Sequence, residues 1–273
     1  MTRVGAVGYL NARALVFGLE QGLGADGIEL SYDVPSRLAE RMRAGELDVA
    51  LLPTIELGGL PAFELVPGLG IVSRGAARSV LLVSRVPLER IERVALDPES
   101  RTSNALSQVL FADAWGRAPE FHLGPLDLAA ALAGADAAVR IGDKALFEPV
   151  PDGCEAHDLG TAWTALTGLP FVFAAWVARP GVVDRPLYKL LHESHRSGTR
   201  VVDLIAEDYT WNGRRDPAVS RAYLRENIRH RLGADELRGL RRFLDAAARL
   251  GLIERAPELR MALVARAACA PQT

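Results

Sequence analysis

The stretch "PSRLAERMRAGELDVALLP" (residues 35–53) has a counterpart in "PLDLAAALAGADAAVRIGD" (residues 125–143). Each begins with a proline, Pro35 or Pro125, and prolines favour the first turn of a helix. Each then continues to a glycine that suits a helix end, and through an aspartate into an apolar strand. The apolar strands show little alternation, which is typical of strands buried on both faces. The recurrence predicts two α/β units of similar design.

Around these stretches, strands and helices alternate, which favours parallel sheets covered by helices. The strands predicted from the apolar runs are 3–7, 28–33 and 48–52 in the first unit, and 93–96, 120–123 and 137–141 in the second. The predicted helices are 12–21 and 36–44 in the first unit, and 105–114 and 126–133 in the second. A single sheet with a chance repetition is the alternative, and it requires strands 4–7 and 93–96 to share that sheet.

Two further apolar stretches, 79–84 and 171–178, join the units, so the chain crosses between them twice. The second unit is therefore predicted to be inserted into the first. The expected division is residues 1–85 for lobe one, 86–174 for the inserted lobe two, and 175–273 for the return to lobe one. From about residue 184 onward, apolar residues recur at helical spacing, which predicts an almost entirely helical tail.

The composition indicates a globular protein and excludes several kinds of function. The chain has 273 residues, of which 49% are hydrophobic and 24% charged, as in ordinary globular domains. The formal net charge of −2 favours neither nucleic acid nor an anionic membrane as a partner. We see no secretory signal and no apolar run of membrane-spanning length, so we expect a cytoplasmic protein.

Motifs for metal, redox and phosphate chemistry are absent from the sequence. The two cysteines form no CxxC pair and the five histidines have no metal-ligand spacing. There is no nucleophile elbow and no P-loop. The sequence therefore predicts neither a metal nor an organic cofactor, and it gives no indication of oligomeric state.

Two loops stand out as candidate ligand sites, residues 8–11 and residues 100–104. Each follows a predicted strand and precedes a helix, so each offers free backbone N–H groups and the positive end of a helix dipole. Two such corners facing each other would suit a small molecule with two carboxylates. The alternative is that Asn11 and Ser103 are only helix N-caps, which contribute ~1 kcal/mol each.

The segments after the third strand of each unit carry further candidates. In lobe one that strand runs into Thr54 and Glu56, and we expect the Glu56 carboxylate at a helix start. In lobe two the strand ends at Ile141, Gly142 and Asp143. Asp143 is a candidate base, a hydroxyl acceptor or another cap.

Six ordered motifs resemble a known family: "VGYLNARALVFGLE", "VPSRLAERMRAGELDVALLPTIE", "RSVLLVSRVPL", "LDPESRTSNAL", "RIGDKALF" and "DLGTAWTALTGLPFVFAAWVAR". They resemble the chorismate dehydratases of the futalosine route to menaquinone, over about residues 3–180. The resemblance implies a two-lobed type II periplasmic-binding-protein-like fold, which closes like a Venus flytrap, in a cytoplasmic enzyme without a cofactor.

The resemblance also implies which residues form the site. Matched motif by motif, they are Asn11, Ser79, Thr102, Ser103, Ile141, Gly142 and Asp143. Two residues depart from the family pattern, because Gly8 replaces a serine and Ala14 a proline. Gly8 removes a hydroxyl from the corner of the cleft. The sister branch of the family carries a histidine base after its lobe-two strand, and "IGD" at that place favours the dehydratase.

The implied reaction converts the dianion chorismate to 3-[(1-carboxyvinyl)oxy]benzoate and water. Asn11, Ser79 and Asp143 are the expected catalytic residues, and Thr102 and Ser103 are expected to bind the ring carboxylate. The remaining expected substrate-binding residues are Tyr9, Thr54, Ile141 and Gly142.

The identity of the base is left open by the sequence. Asp143 is one candidate, and the substrate's own enolpyruvyl carboxylate, which lies near C3, is the preferred one. Two other functions stay possible. One is a non-enzymatic small-anion binding protein of the same fold, and the other is the sister enzyme, which acts on a dehypoxanthine futalosine-like substrate.

Overall fold

The computed structural model of the protein describes residues 1–264, which form two β-sheets covered by helices. The six-stranded sheet has the order β11 (Arg229–Leu232), β4 (Glu64–Ser73), β10 (Phe171–Ala178), β3 (Val49–Pro53), β1 (Thr2–Ala6) and β2 (Ile28–Tyr32). The five-stranded sheet has the order β7 (Glu120–Leu123), β6 (Arg93–Leu96), β8 (Ala137–Ile141), β5 (Val80–Ser84) and β9 (Glu155–Asp158). Strands β1 and β6 lie in different sheets, so the single-sheet alternative is wrong.

Ten α-helices lie between and after these strands within residues 1–264. They are α1 (Leu10–Glu20), α2 (Pro35–Arg43), α3 (Thr102–Asp113), α4 (Leu128–Gly134), α5 (Gly142–Phe147), α6 (Leu159–Thr167), α7 (Arg185–Arg200), α8 (Val202–Asp208), α9 (Pro217–Ala222) and α10 (Ala234–Arg249). Two 3-10 turns, Thr54–Gly59 and Leu88–Arg90, and one π-helical turn, Tyr223–Asn227, complete the set. None of the described helices combines the length and the apolar character needed to cross a bilayer.

The predicted duplication is visible in the strand pairing. Strand β1 pairs in parallel with β2 and β3, and β6 pairs in parallel with β7 and β8. The two strands of the repeated stretches, β3 and β8, are buried along their whole length, as their unbroken apolar sequence predicts. In each sheet the carboxyl ends of the parallel strands meet at one edge, where ligands bind in open α/β folds.

The two crossing strands each belong to one sheet. Strand β5 pairs with β8 and β9, whereas β10 pairs with β3 and β4, and all four pairings are antiparallel. The predicted boundaries at residues 86 and 174 instead put β5 in lobe one and the start of β10 in lobe two. The lobe division stays a prediction, and we propose that its boundaries lie just before β5 and just before β10.

Two helices begin at residues other than those expected. Helix α1 has Tyr9, not Asn11, as its N-cap, and Asn11 lies within its first turn. Helix α3 begins at Thr102, with Arg101 as its N-cap, so Ser103 is not a cap either. Both helices therefore start earlier than the apolar periodicity indicates, because the polar residues of each loop form the first turn.

Two further expectations are wrong. Pro35 begins α2, but Pro125 lies before α4, whose N-cap is Asp127 with its side chain accepting from the Ala130 N–H. The tail is not almost entirely helical, because β11 adds an antiparallel edge strand beside β4. Charged side chains are common on such edge strands, since they oppose pairing with another chain. They also make the strand too polar to be recognised from its hydropathy.

Candidate functional site

A small cavity of about 80 Å³ lies between the two lobes, and residues of both lobes line it. Its lining includes Tyr9, Asn11, Ser79, Thr102, Ser103, Ile141 and Gly142 from the residues expected at the site. Thr54 and Asp143, also expected there, are not part of the lining. The cavity lies at the N-termini of α1 and α3, the two corners that the sequence indicates as anion sites.

At the α1 corner, a carboxylate from the other lobe binds the helix terminus. The Leu10 N–H donates to Asp143 Oδ1 at 3.3 Å, an arrangement that the helix dipole favours. Asn11 follows Leu10, and its backbone carbonyl accepts a hydrogen bond from His230 Nε2 at 2.7 Å. The Asn11 side-chain oxygen is buried and has no hydrogen-bond partner among residues 1–264. A buried acceptor of this kind is normally paired, so this oxygen is available to accept a hydrogen bond from a ligand.

At the α3 corner, hydroxyl groups surround the helix terminus. Thr102 Oγ1 accepts a hydrogen bond from the Ile55 N–H across the cleft at 3.2 Å. The Ser103 N–H donates to Ser100 Oγ at 3.3 Å, and the Ser103 side chain lines the cavity. Arg101 also lines the cavity, but its Nε lies 2.9 Å from Glu56 Oε1. The corner therefore offers neutral donors and a helix dipole to an anion.

Glu56 lies in the first 3-10 turn, as its expected position at a helix start implies, and it is buried. Its carboxylate pairs with Arg43 as well as Arg101. The ion pairs give this buried charge partners. Glu56 is not part of the cavity lining, and it contacts the cavity only through Arg101.

Ser79 faces the cavity from the start of β5 and has a partner that the sequence did not indicate. Its Oγ lies 2.7 Å from the hydroxyl of Tyr223, which is fully buried in the π-helical turn. Burial raises the pKa of Tyr223 well above its ordinary value, while hydrogen bonding with the side chains of Ser79 and Asn11 opposes the rise. Tyr223 therefore stays protonated at neutral pH.

Tyr223 was missed because its segment is rich in arginine and acidic residues, a pattern that predicts a solvated helical face. One signal for burial is the pair Tyr223 and Leu224, two adjacent large side chains within that charged segment. Both are buried.

The end of β8 provides a close approach between the lobes. Gly142 has φ +65°, a left-handed conformation that glycine adopts without strain. Its N–H donates to the Ser79 carbonyl at 2.8 Å, and a Cβ at this position would lie 3.6 Å from the ring of Tyr9. Gly142 therefore brings β5, α5 and the loop before α1 together at the cavity.

Asp143 connects the lobes and does not face the cavity. Its side chain is 4% exposed, and the Tyr209 hydroxyl donates to Oδ2 at 2.5 Å while Leu10 binds Oδ1. Burial raises the pKa of Asp143, and these two hydrogen bonds oppose the rise. Both carboxylate oxygens of Asp143 therefore accept a hydrogen bond.

Thr54 is fully buried and has a structural contact. Its hydroxyl donates to the Val172 carbonyl at 2.8 Å, which ties the end of β3 to β10. The structure therefore places Thr54 behind the cavity wall, without access to a ligand in the cavity.

A larger groove of about 1470 Å³ adjoins the cavity, and Tyr9 and Glu99 line both. Its basic groups are engaged, since Arg13 lies 2.9 Å from Glu20 and Lys144 lies 2.8 Å from Glu99. Burial raises the pKa of the Tyr9 hydroxyl, and nearby carboxylates add to the rise. Residues 1–264 contain no group of three or more His, Cys, Asp or Glu side chains placed to hold a metal ion.

Comparison with known proteins identifies relatives over most of the chain. A family model described as menaquinone biosynthesis matches residues 2–249. A protein of Thermus thermophilus named chorismate dehydratase is 30% identical over 253 residues, covering 85% of this chain and 92% of that protein. A Campylobacter jejuni protein of the same name is 30% identical over 254 residues, covering 91% of this chain and 98% of that protein.

Solved structures show the same fold at low sequence identity. Protein AF1704 of Archaeoglobus fulgidus has a TM-score of 0.71 at 15% identity, covering 92% of this chain and 98% of that one. The periplasmic aliphatic sulphonate binding protein of Escherichia coli has a TM-score of 0.60 at 16% identity, covering 100% of this chain and 97% of that one. The predicted two-lobed, periplasmic-binding-protein-like α/β fold is confirmed.

Proposed function

Because this chain belongs to the menaquinone biosynthesis family, we propose that it dehydrates chorismate to 3-[(1-carboxyvinyl)oxy]benzoate in the cavity between its lobes. The relatives named chorismate dehydratase support the substrate and the class of reaction, a carbon–oxygen lyase. The product, the base and a place in the futalosine route are our proposals. A location in the cytoplasm stays a prediction from the sequence.

The observation that carries the proposal is a cavity at two helix N-termini, whose largely apolar lining includes the amide of Asn11 and the hydroxyls of Ser79, Thr102 and Ser103. Chorismate is a dianion, and helix N-termini with neutral donors stabilise anions. The Glu99 carboxylate, which also lines the cavity, is paired with Lys144. The α3 corner, with Thr102 and Ser103, suits the ring carboxylate. Donors placed there would stabilise the negative charge that builds up when C3 loses its proton.

The size of the cavity implies that the lobes separate before substrate enters. Small-molecule sites generally occupy roughly 300–1,000 Å³, whereas this cavity has about 80 Å³. The hydrogen bonds of Leu10 with Asp143 and of Ile55 with Thr102 cross the cleft. Opening would break both of them, and would free the α1 N-terminus and the Thr102 hydroxyl to bind the substrate.

The proposed reaction removes the C3 proton and the C4 hydroxyl. The C3–H bond breaks, its electron pair becomes part of the ring, and the C4–O bond breaks as the hydroxyl leaves and is protonated to water. Asn11 is placed to hold the C4 hydroxyl. Its unpaired side-chain oxygen can accept a hydrogen bond from that hydroxyl, and its amide N–H can donate to the oxygen as it leaves. Ser79 would hold the enolpyruvyl carboxylate.

The position of Asp143 supports the substrate carboxylate as the base. Asp143 lies outside the cavity lining, and the Tyr209 hydroxyl donates to its Oδ2. Asn11 has no basic group at neutral pH. An enolpyruvyl carboxylate held in one rotamer beside C3 acts as an intramolecular base, an effect worth up to ~7–11 kcal/mol in favourable cases.

The function is tested by incubating the purified protein with chorismate and identifying the product by mass spectrometry. We expect chorismate to be replaced by a product that has lost one water and shows an aromatic proton spectrum. The same assay with a dehypoxanthine futalosine-like substrate addresses the sister reaction. Chorismate bound tightly but unchanged would favour a non-enzymatic binding protein, and turnover of the second substrate alone would favour the sister enzyme.

A further inference from the structure

We propose that Tyr223 is a positioning residue for the dehydration, which holds the hydroxyl of Ser79 in the orientation that meets the substrate. The inference rests on the proposed function and adds to it a residue from the tail of the chain. Tyr223 is not part of the cavity lining, so it acts on the substrate only through residues in front of it. These are Ser79, at 2.7 Å, and Asn11, whose side chain also lies within hydrogen-bonding reach of the Tyr223 hydroxyl.

The backbone of Ser79 is fixed by a hydrogen bond, so the rotation of its hydroxyl group is what Tyr223 can control. The Ser79 carbonyl accepts the Gly142 N–H at 2.8 Å, which fixes its backbone at the start of β5. Its side chain is 2% exposed and has the Tyr223 hydroxyl as its hydrogen-bond partner, at 2.7 Å. The rotation of the Ser79 hydroxyl is therefore set by Tyr223.

Because the Tyr223 phenol is protonated, it can be the donor and Ser79 Oγ the acceptor in this hydrogen bond when an anion is bound. Burial keeps the phenol protonated, so it can donate its single proton to Ser79 Oγ. The proton of Ser79 is then free to point into the cavity. A substrate carboxylate or departing hydroxyl in the cavity is an acceptor and favours this direction, because donors in a chain polarise one another.

The local fold explains how a tail residue reaches the cavity. Tyr223 begins the π-helical turn Tyr223–Asn227. Such turns are rare in proteins, but those that occur often lie at functional sites. Strand β11 follows, and its His230 donates to the Asn11 carbonyl at 2.7 Å. The tail thus contacts both Ser79 and Asn11 from behind, the two residues to which the reaction assigns the enolpyruvyl carboxylate and the C4 hydroxyl.

The first measurement compares Tyr223→Phe with the wild type. The change removes one oxygen atom and keeps the ring that fills the core. We expect kcat to fall about tenfold or more, as for the loss of a hydrogen bond that acts mainly in the transition state, with KM changed by less than about threefold. Tyr188→Phe, a hydroxyl removed from α7 outside the cavity, is the matched control and should keep wild-type kinetics.

The second measurement is a double-mutant cycle with Ser79→Ala, with thermal melting of all four proteins as a check on folding. If Tyr223 acts through Ser79, Tyr223→Phe should cause no further loss of kcat in the Ser79→Ala background. Equal losses of kcat in both backgrounds, or wild-type kcat in Tyr223→Phe, would overturn the inference while the proposed function stands. A wild-type protein that leaves chorismate unchanged would instead contradict the proposed function, and the inference with it.

Discussion

Replacement of Asn11 by aspartate is expected to lower the rate of chorismate dehydration by about 10²–10³, the loss typical of removing one preorganised group at a reacting oxygen. The Asn11 side-chain oxygen is a buried acceptor without a partner, and its amide lies in the first turn of α1. Aspartate keeps the size and an acceptor oxygen, but it loses the amide N–H that would donate to the departing hydroxyl. It also places a negative charge beside a dianionic substrate. The helix should tolerate this charge, because its N-terminus favours anions.

Product identity is measured together with the rate and with thermal melting. A carboxylate at this position would also be able to activate a water molecule against the enol ether, which would give a second product. Asn212→Asp is the matched control, since Asn212 is exposed and has a left-handed conformation that aspartate also adopts. It should leave rate and product unchanged.

Normal dehydration by the Asn11→Asp variant would remove Asn11 from the proposed catalytic residues. A stable Asn11→Asp protein with normal dehydration would exclude a role for the amide, and the Asp143→Asn variant would then be the next candidate for loss of turnover. Because Tyr9 is the N-cap of α1, Asn11→Ala should lose no capping hydrogen bond. The ~1 kcal/mol loss that a cap residue would show is therefore not expected.

Replacement of Ser103 by aspartate is expected to weaken chorismate binding by about a hundredfold or more. The new carboxylate would stand at the α3 N-terminus, where we place the ring carboxylate of the substrate. Like charges about 4 Å apart in a partly buried site repel by roughly 4 kcal/mol. The helix itself should keep its stability, since an acidic residue in the first turn interacts favourably with the dipole.

Ser103→Asn is the matched control, because it has a similar size without the charge. We expect Asn to weaken binding much less than Asp, as measured by calorimetric titration or by KM, while both proteins melt near the wild-type temperature. A lower melting temperature with unchanged affinity in the Asp variant would show that Ser103 has a structural role only.

Eight of the eleven strands were predictable because they are short apolar runs with clear ends, whereas β4, β9 and β11 were not predicted. Strands β6, β7 and β8 have the bounds that the sequence predicts, and so does the crossing strand β10. The duplication was recognisable from the sequence for two reasons. A parallel strand buried on both faces is apolar throughout, without alternating polar residues, and in both copies a glycine lies at or just after the helix end. Strand β11 was missed because its charged side chains lie at a sheet edge.

The site was less predictable, because several of its contacts join residues far apart in the sequence. The α1 terminus binds Asp143, 133 positions away, and no local capping signal reveals such a partner. Tyr223 reaches Ser79 over 144 positions from a segment whose charges indicate solvent exposure. Thr54 follows a strand end as the pattern requires, but its hydroxyl bonds to β10 behind the cavity wall.

Occupancy of the cavity by the substrate is the claim on which all of these expected effects depend. A crystal structure of the protein grown with its reaction product tests it most directly. We expect the ring carboxylate at the N-terminus of α3, in contact with Thr102 and Ser103, and Asn11 and Ser79 on the other side of the ligand. A product bound instead in the larger groove, beside Arg13 and Lys144, with the cavity empty, would contradict the claim.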